Sequence, residues 1–441
     1  MYRAVGKILA WIFPTAEDRR NFRNFCKNID LRRKGAKEIA LAHERYDRLL
    51  PKLQKAYTQR KLKVCFLCQD NAKWSYQSLY EAFDRSEHFE PQVLVSITTD
   101  LLEKKHAFLD YKKCLTDNYN FFASRNMKVA YAFNADTQKF VDLREFKPDI
   151  IFYEEPWGLK SLHAPYKTAE YALGCYSSYG AQITNGIYEY TMAFYFQLWK
   201  FFLDSQLVYS KFLETGFDSD ALHVVGALKL DAYLRPIRKN LWKTEGKKRI
   251  IWAPHHSFSP RSILKYGTFD WNYQFMYEYA KNHPEYEFIL KPHPVLYKMI
   301  VDQDLMSQHD MEKYFESWRM LPNAQIVEGG DYFDLFKTSD MMVTDCCSFL
   351  REYLPSEKPL IHLISGHSIG YNEYGRRIIA GYYPVHDVQE LEAKMDDILI
   401  KGKDELKTKR QEIIKEFRLG TESVAQNIIE HLENCLKGEN K

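Results

Sequence analysis

From residue 62 onward, short continuous apolar runs alternate with longer stretches that mix apolar and polar residues at helical spacing. In the first half the runs are Leu62–Cys68, Gln92–Ile97, Lys128–Phe133, Asp149–Tyr153, Gln206–Tyr209 and His223–Gly226. In the second half they are Arg249–Ala253, Glu287–Lys291, Ala324–Val327, Met341–Thr344 and Pro359–Leu363. Such runs suit strands of a parallel sheet, whose two faces are both covered. Ser75–Ser86, Phe108–Arg125, Tyr273–Asn282 and Tyr332–Thr338 have the length of crossover helices. Two further helices, about Glu405–Phe417 and Ser423–Leu436, close the chain. The Lys/Arg-rich segment 230–248, with Pro236 and Gly246, reads as a linker. The pattern predicts an α/β chain with two doubly wound units. Its expected divisions are a helical arm over 1–61, a first unit over 62–235, a second over 236–404, and closing helices over 405–441.

Open parallel sheets hold ligands beyond the carboxyl ends of their strands, so chemistry is sought just after each run. Arg249–Ala253 leads into Pro254-His255-His256-Ser257, and Glu287–Lys291 into Pro292-His293-Pro294. The two prolines fix φ on either side of His293 and hold its imidazole rigidly. Met341–Thr344 leads into Asp345-Cys346-Cys347-Ser348 and a helix over Phe349–Leu354. A strand-to-helix turn of this kind offers unpaired N–H groups and the positive end of a helix dipole to phosphate. Pro359–Leu363 carries His362 and leads into Ser365-Gly366-His367.

No lysine phosphate loop and no G-x-G-x-x-G is present. Asp218-Ser219-Asp220 and Asp302-Gln303-Asp304 have the D-x-D form of metal-dependent glycosyltransferases, but neither follows a buried strand, and no metal or other cofactor is expected. Cys65 and Cys68 sit in a strand, where residues three apart face opposite sides, and no second pair lies at zinc spacing. The scattered cysteines suit a reducing compartment.

Charge adds one asymmetry. The net charge is +3, yet residues 1–63 hold 17 Lys+Arg against 6 Asp+Glu, leaving the remainder about −8. A basic arm facing an anionic surface fits this better than nucleic acid bound along the whole chain. The apolar run Ile8–Phe13 is far short of the ~20 residues of a membrane span. Beside Arg19, Arg20, Arg23, Lys27, Arg32, Arg33 and Lys34 it reads as an interfacial wedge, so residues 1–37 are expected to meet anionic lipid.

The motifs of residues 205–435 resemble those of the bacterial CDP-glycerol glycerophosphotransferases, which build teichoic-acid-like polymers. The matching segments are Val225-Gly226-Ala227-Leu228-Lys229-Leu230-Asp231, Trp252–Ser257, Lys291–Pro294, Ser339–Phe349 with Glu352-Tyr353-Leu354, Lys358-Pro359, and Arg418–Ser423. The resemblance implies a GT-B architecture, two Rossmann-like domains facing a cleft, with the donor nucleotide held mainly by the second. It implies a peripheral protein of the cytoplasmic membrane face that moves a polyol-phosphate unit from a CDP-linked donor to a lipid-linked acceptor. His293 and His256 are then catalytic candidates. Lys229, Pro254, His255, Ser257, Lys291, Thr344, Asp345, Cys347, Ser348 and Glu352 are candidates for binding the donor nucleotide and its phosphates. The family's first-domain Trp-His-Gly-Thr is replaced by Cys175-Tyr176-Ser177-Ser178-Tyr179-Gly180, which has no histidine. The base that deprotonates the acceptor is therefore sought after the Asp149–Tyr153 run, at Glu155, with Glu154 and His163 as alternatives. A nucleotide-sugar glycosyltransferase of capsule or lipopolysaccharide synthesis, or a non-catalytic membrane scaffold, is the rival reading.

Overall fold

The computed structural model describes residues 2–103, 110–186, 189–217, 219–259, 262 and 264–439. Phe108, Asp218 and the side chains of Arg32 and Lys34 lie outside the described residues.

The chain forms two compact units. Unit 1 comprises 1–180, 187–229 and 423–441, and unit 2 comprises 181–186 and 230–422. In unit 1 the strands are β1 (Leu62–Cys68), β2 (Phe89–Val95), β3 (Val129–Tyr131), a small antiparallel pair β4 (Phe133–Asn134) and β5 (Lys139–Phe140), then β6 (Ile150–Tyr153), β7 (Leu173–Ser177), β8 (Lys200–Leu203) and β9 (Leu222–Val224). All but β4 and β5 form one parallel sheet in the order β3-β2-β1-β6-β7-β8-β9. In unit 2, β10 (Lys248–Ala253), β11 (Tyr286–Leu290), β12 (Ala324–Ile326), β13 (Met341–Thr344), β14 (Leu360–Leu363) and β15 (Tyr383–Val385) form a parallel sheet in the order β12-β11-β10-β13-β14-β15. Strand order reverses between β1 and β6 in unit 1 and between β10 and β13 in unit 2. Each reversal is a topological switch point, where doubly wound sheets open a crevice at their carboxyl edge.

Several sequence expectations shift. Gln206–Tyr209 is the start of a helix, Gln206–Leu213, and the strand is the preceding Lys200–Leu203. Ser205 decides this: extended at φ −157°, its hydroxyl accepts the Val208 N–H at 3.3 Å and caps the helix. Strands β7 and β15 went unanticipated. The closing helices divide between the units: Lys407–Phe417 belongs to unit 2, whereas Val424–Lys437 returns to unit 1. There Ile428, Ile429, Leu432 and Leu436 join the core of Leu62, Phe66, Phe83 and Phe89.

The expected linker is structured within unit 2. The amides of Arg238 and Lys239 donate to Asp334, and those of Lys243 and Thr244 to Glu287, at 2.6–3.1 Å. The expected arm also splits. Helix Ala36–Tyr57 buries Ala42, Tyr46, Leu53 and Tyr57, and Arg60 forks onto buried Asp149 at 2.6 and 2.8 Å, so this part is body. The preceding helices, Tyr2–Leu9 and Ala16–Lys34, pack together through Gly6, where a Cβ would stand 2.5 Å from the Cys26 Cβ. Ile8, Leu9, Trp11 and Ile12 are exposed beside them, with Arg19 and Arg23 stacked over the Trp11 ring. No described helix is long and apolar enough to cross a membrane.

Candidate functional site

The carboxyl ends of β10 and β11 bring three histidines of unit 2 together. Trp252, the penultimate residue of β10, is fully buried between Phe269 and Trp318, so the turn that follows starts from a fixed point. His255 and His256 come from that turn and His293 from the turn after β11. The His293 N–H donates to the Pro254 carbonyl at 3.2 Å and joins the two loops. Ring centroids lie 4.3 Å apart for His255–His256, 4.2 Å for His256–His293 and 5.1 Å for His255–His293.

The surrounding hydrogen bonds decide what these rings offer. Ser257 Oγ accepts the N–H groups of Tyr266 (3.0 Å) and Gly267 (3.2 Å). Its own proton is then directed to His255 Nδ1, 2.7 Å away, which also receives the Ser257 N–H at 3.3 Å. With Nδ1 an acceptor, the neutral His255 ring carries its proton on Nε2. His293 Nδ1 accepts the Val295 N–H at 3.2 Å, which likewise leaves the proton on Nε2. His256 Nδ1 is buried without a hydrogen-bond partner. Burial keeps all three rings neutral. It lowers His256 to about 4, and, with repulsion from His256, His293 to about 3 and His255 well below the usual histidine value. One ring nitrogen of each lies within 4.8 Å of the others, a spacing that admits a metal ion. A metal-bound imidazole, however, usually donates its second nitrogen to an acceptor. Here the second nitrogens of His255 and His293 accept instead, which leaves an Nε2 N–H on each ring as a donor.

The other residues singled out in unit 2 support this cluster from behind. Asp345, fully buried after β13, accepts the His255 N–H at 2.6 Å on one oxygen, and the Thr268 N–H (2.6 Å) and hydroxyl (2.7 Å) on the other. Burial pushes its carboxyl up to about 7 against those bonds. Thr344 donates its hydroxyl to the Ala253 carbonyl at 2.6 Å. Glu352 is buried and accepts the Tyr332 hydroxyl. Lys291 is buried, donates to the Gly329 carbonyl at 3.1 Å and lies over the Tyr332 ring. Ser257, Thr344 and Asp345 hold protein partners on their side chains, and Glu352 accepts from Tyr332, so these residues position the loops around the cluster. Cys347 and Ser348 open a helix of only six residues, Cys347–Glu352, shorter than the expected reach to Leu354. Lys229 ends unit 1. His362 faces the Tyr371 hydroxyl at 3.0 Å, apart from the cluster. In the D-x-D at Asp302, that residue pairs with Lys298. Sequence reasoning missed Tyr266, Gly267 and Thr268. They precede a helix, Phe269–Asn282, that begins four residues earlier than its periodicity indicated.

Unit 1 gathers carboxylates at its own switch point. Glu154 follows β6 and accepts the N–H groups of Gln69 (2.8 Å) and Asp70 (2.9 Å) on one oxygen and the Cys68 thiol (2.9 Å) on the other. Burial and the neighbouring Glu155 push it up to about 8. Glu155 is 1% exposed; one oxygen meets Lys73 Nζ at 2.7 Å and the other, Oε1, is buried without a partner. Burial raises its carboxyl while Lys73 opposes the rise. His163 sits in a separate turn, bonded to the Val141 carbonyl at 2.8 Å. Lys73, beside Glu155, went unremarked in the sequence; it lies in the turn after β1, which carried no motif.

Comparisons with known proteins bear on both units. Residues 195–377 match the family model described as CDP-Glycerol:Poly(glycerophosphate) glycerophosphotransferase, a span containing all three clustered histidines. No curated protein matches the chain. Among solved structures, the S. aureus MnaA–UDP co-structure is similar at 14% identity and TM-score 0.56, covering 85% of this chain and 97% of that one. The UDP-GlcNAc 2-epimerase from Neisseria meningitidis bound to UDP-GlcNAc is similar at 15% identity and TM-score 0.54, covering 85% and 100%. At such identities the likeness speaks for the fold, that of the GT-B nucleotide-sugar enzymes with two Rossmann-like domains. The resemblance noted in the motifs is thus supported across residues 195–377, which are similar to the CDP-glycerol:poly(glycerophosphate) glycerophosphotransferase family of nucleotide-linked transferases.

Proposed function

We propose that the protein transfers a glycerol-phosphate or related polyol-phosphate unit from a CDP-linked donor to a hydroxyl of a lipid-linked acceptor, in the synthesis of a bacterial cell-surface polymer of the teichoic-acid or capsule type. The observation that carries this reading is the trio of neutral imidazoles at the unit 2 switch point, with the protons of His255 and His293 set on Nε2 by the bonds to Nδ1. In-line attack at the donor's β-phosphorus gathers charge on phosphate oxygens and on the departing CMP. Fixed N–H donors lower the energy of that charge without reorganising. His293 and His256 contact the diphosphate, and His255 stands behind them. Lys291, Pro254, Cys347 and Ser348 line the same sheet edge, and Lys229 is a further cationic candidate. The donor set explains why the reading assigns no metal. The exposed wedge Ile8, Leu9, Trp11 and Ile12 with Arg19 and Arg23 is the proposed contact with anionic lipid at the cytoplasmic face.

The test is product identity. Purified protein is incubated with CDP-glycerol, CDP-ribitol, UDP-sugars and GDP-sugars, with membrane extract as acceptor. CMP release from a CDP-polyol is expected; UDP or GDP release instead would replace this reading with a sugar transferase, and no release from any donor would favour a scaffold.

A further inference from the structure

We propose that unit 1 carries an anion site of its own, at the amino edge of its sheet, and that its ligand is a phosphate ester, either free in solution or as the headgroup of a phospholipid. The inference does not rest on the transfer reading above, whose phosphate chemistry lies at the carboxyl edge of the unit 2 sheet.

The basic surplus near the start of the chain is larger than the exposed wedge accounts for. Residues 38–63 hold seven Lys+Arg against three Asp+Glu. This stretch is body rather than arm, since it runs along helix Ala36–Tyr57 and into β1. An open cavity of about 630 Å³ lies where that helix and the last helix, Val424–Lys437, end and where β1 and β2 begin. Such a volume suits a small organic ligand. Arg60, Lys61 and Lys437 line it, with apolar surface from Tyr57, His88 and Leu436. The Tyr57 and His88 rings lie 4.8 Å apart. Glu87 is the one carboxylate of the lining, set against three cations.

Cations at the carboxyl ends of helices often serve only the last carbonyls. Here those carbonyls have other partners. Thr58 donates its hydroxyl to the Lys55 carbonyl at 2.9 Å, and the Gln59 and Arg60 amides both reach the Ala56 carbonyl at 2.9 Å. Gln54 Nε2 donates to the Cys435 carbonyl, also at 2.9 Å. The charges are not cancelled either. Among the described residues Lys61 has no ion pair; its Nζ commits one proton to the Ser86 carbonyl at 2.8 Å and keeps two. Lys437 meets Glu433 at 3.3 Å and stays 42% exposed. Arg60 uses Nη1 and Nη2 on Asp149 and the Lys61 carbonyl, which leaves the Nε proton and one Nη2 proton for a ligand.

A neutral ligand would leave these cations unanswered, and a cationic one would be repelled. A phosphate offers three outward oxygens, which match three cations better than the two oxygens of a carboxylate, and its bonds to them are charge-assisted. The ester's organic part then lies against Tyr57, His88 and Leu436.

The test uses full-length protein carrying His293→Ala, so that phosphate held by the unit 2 histidines contributes little. Glycerol 3-phosphate is titrated by calorimetry into this protein, into the same protein with Lys61→Glu and Lys437→Glu, and into a control with Lys403→Glu and Lys415→Glu. The control pair are exposed lysines of unit 2 and give the same change in net charge. Expected is saturable binding, weakened at least about tenfold by the Lys61 and Lys437 reversals and unchanged in the control, and falling with added salt. Lys61→Met with Lys437→Met replaces the reversals if their melting temperature shows a folding defect. No saturable binding, unchanged affinity in the Lys61 and Lys437 variants, or equal weakening in the control overturns the site, and the donor reading stands in each case because turnover is not the readout. Sedimentation with phosphatidylglycerol–phosphatidylcholine vesicles, using Trp11→Ser and Ile12→Ser protein that lacks the wedge, separates the two sources. Vesicle binding that the Lys61 and Lys437 reversals remove assigns the site to a lipid headgroup, whereas tight binding of the free ester without vesicle binding assigns it to a soluble one.

Discussion

Ser257 shows how much one hydroxyl decides. Two backbone N–H groups converge on its oxygen, so its proton has one destination, His255 Nδ1. Ser257→Ala takes the acceptor from two buried backbone N–H groups and one of two donors from His255 Nδ1, and about 1–3 kcal/mol of stability should be lost per N–H left unpaired, less whatever relaxation recovers; urea unfolding measures it, and a loss below about 0.5 kcal/mol would contradict the network. The neutral histidines set a second expectation. Their folded pKa values lie below the unfolded value, so the unfolded chain binds more protons between about pH 6.5 and 3, and stability falls as pH drops through that window. Asp345, raised to about 7, acts with the opposite sign: its contribution is lost as pH rises through that value. The difference in melting temperature between pH 7 and pH 4.5 should therefore shrink in His256→Asn relative to wild type; an undiminished difference would mean that His256 is not held neutral. At this scale the sequence named the residue types but not their roles. His255, His256 and His293 follow strands as polar turns, so they were legible. That Asp345 faces inward was not, because its partner Thr268 lies 77 residues away.

Elements explain why some roles were hidden. Apolar runs mark buried strands well where a turn follows at once, as at Met341–Thr344, whose limits match the run. They mislead where a cap intervenes: Gln206–Tyr209 is as apolar as a strand, but Ser205 starts a helix there. Gly267 belongs to this level. A Cβ there would stand 2.5 Å from the Phe258 amide nitrogen and 2.8 Å from the Ser257 carbonyl carbon, backbone atoms that cannot swing aside. Gly267→Ala should lower the melting temperature and weaken CMP binding together, both read from one thermal-shift titration; normal CMP affinity would show that the loop's shape does not matter to the site. The N-terminal helices give a parallel case. Trp11 and Ile12 are more than two-thirds exposed, so replacing both with Ser should leave the fold intact while reducing co-sedimentation with anionic vesicles at low salt. Equal sedimentation would remove the wedge from membrane contact.

For the whole molecule, the continuous apolar runs and crossover lengths mark two doubly wound units. They did not reveal that the last helix rejoins unit 1 or that the basic segment 230–248 is tied to unit 2 by Asp334 and Glu287, because those contacts link residues distant in sequence. The donor character of the histidine cluster sets an expectation for the intact enzyme: turnover persists in EDTA, and a complete loss restored by magnesium or manganese would require a metal-assisted path.

The central claim is that the imidazoles of unit 2 hold the phosphates of the transferred group. His293→Ala tests it most directly, since the flanking prolines and not the imidazole set the loop's φ angles. CMP release and melting temperature are measured on the same preparation. The account predicts turnover lowered about 10²–10³-fold, the cost of removing one donor aimed at developing charge, with the melting temperature little changed. Near-wild-type turnover per folded molecule would contradict it.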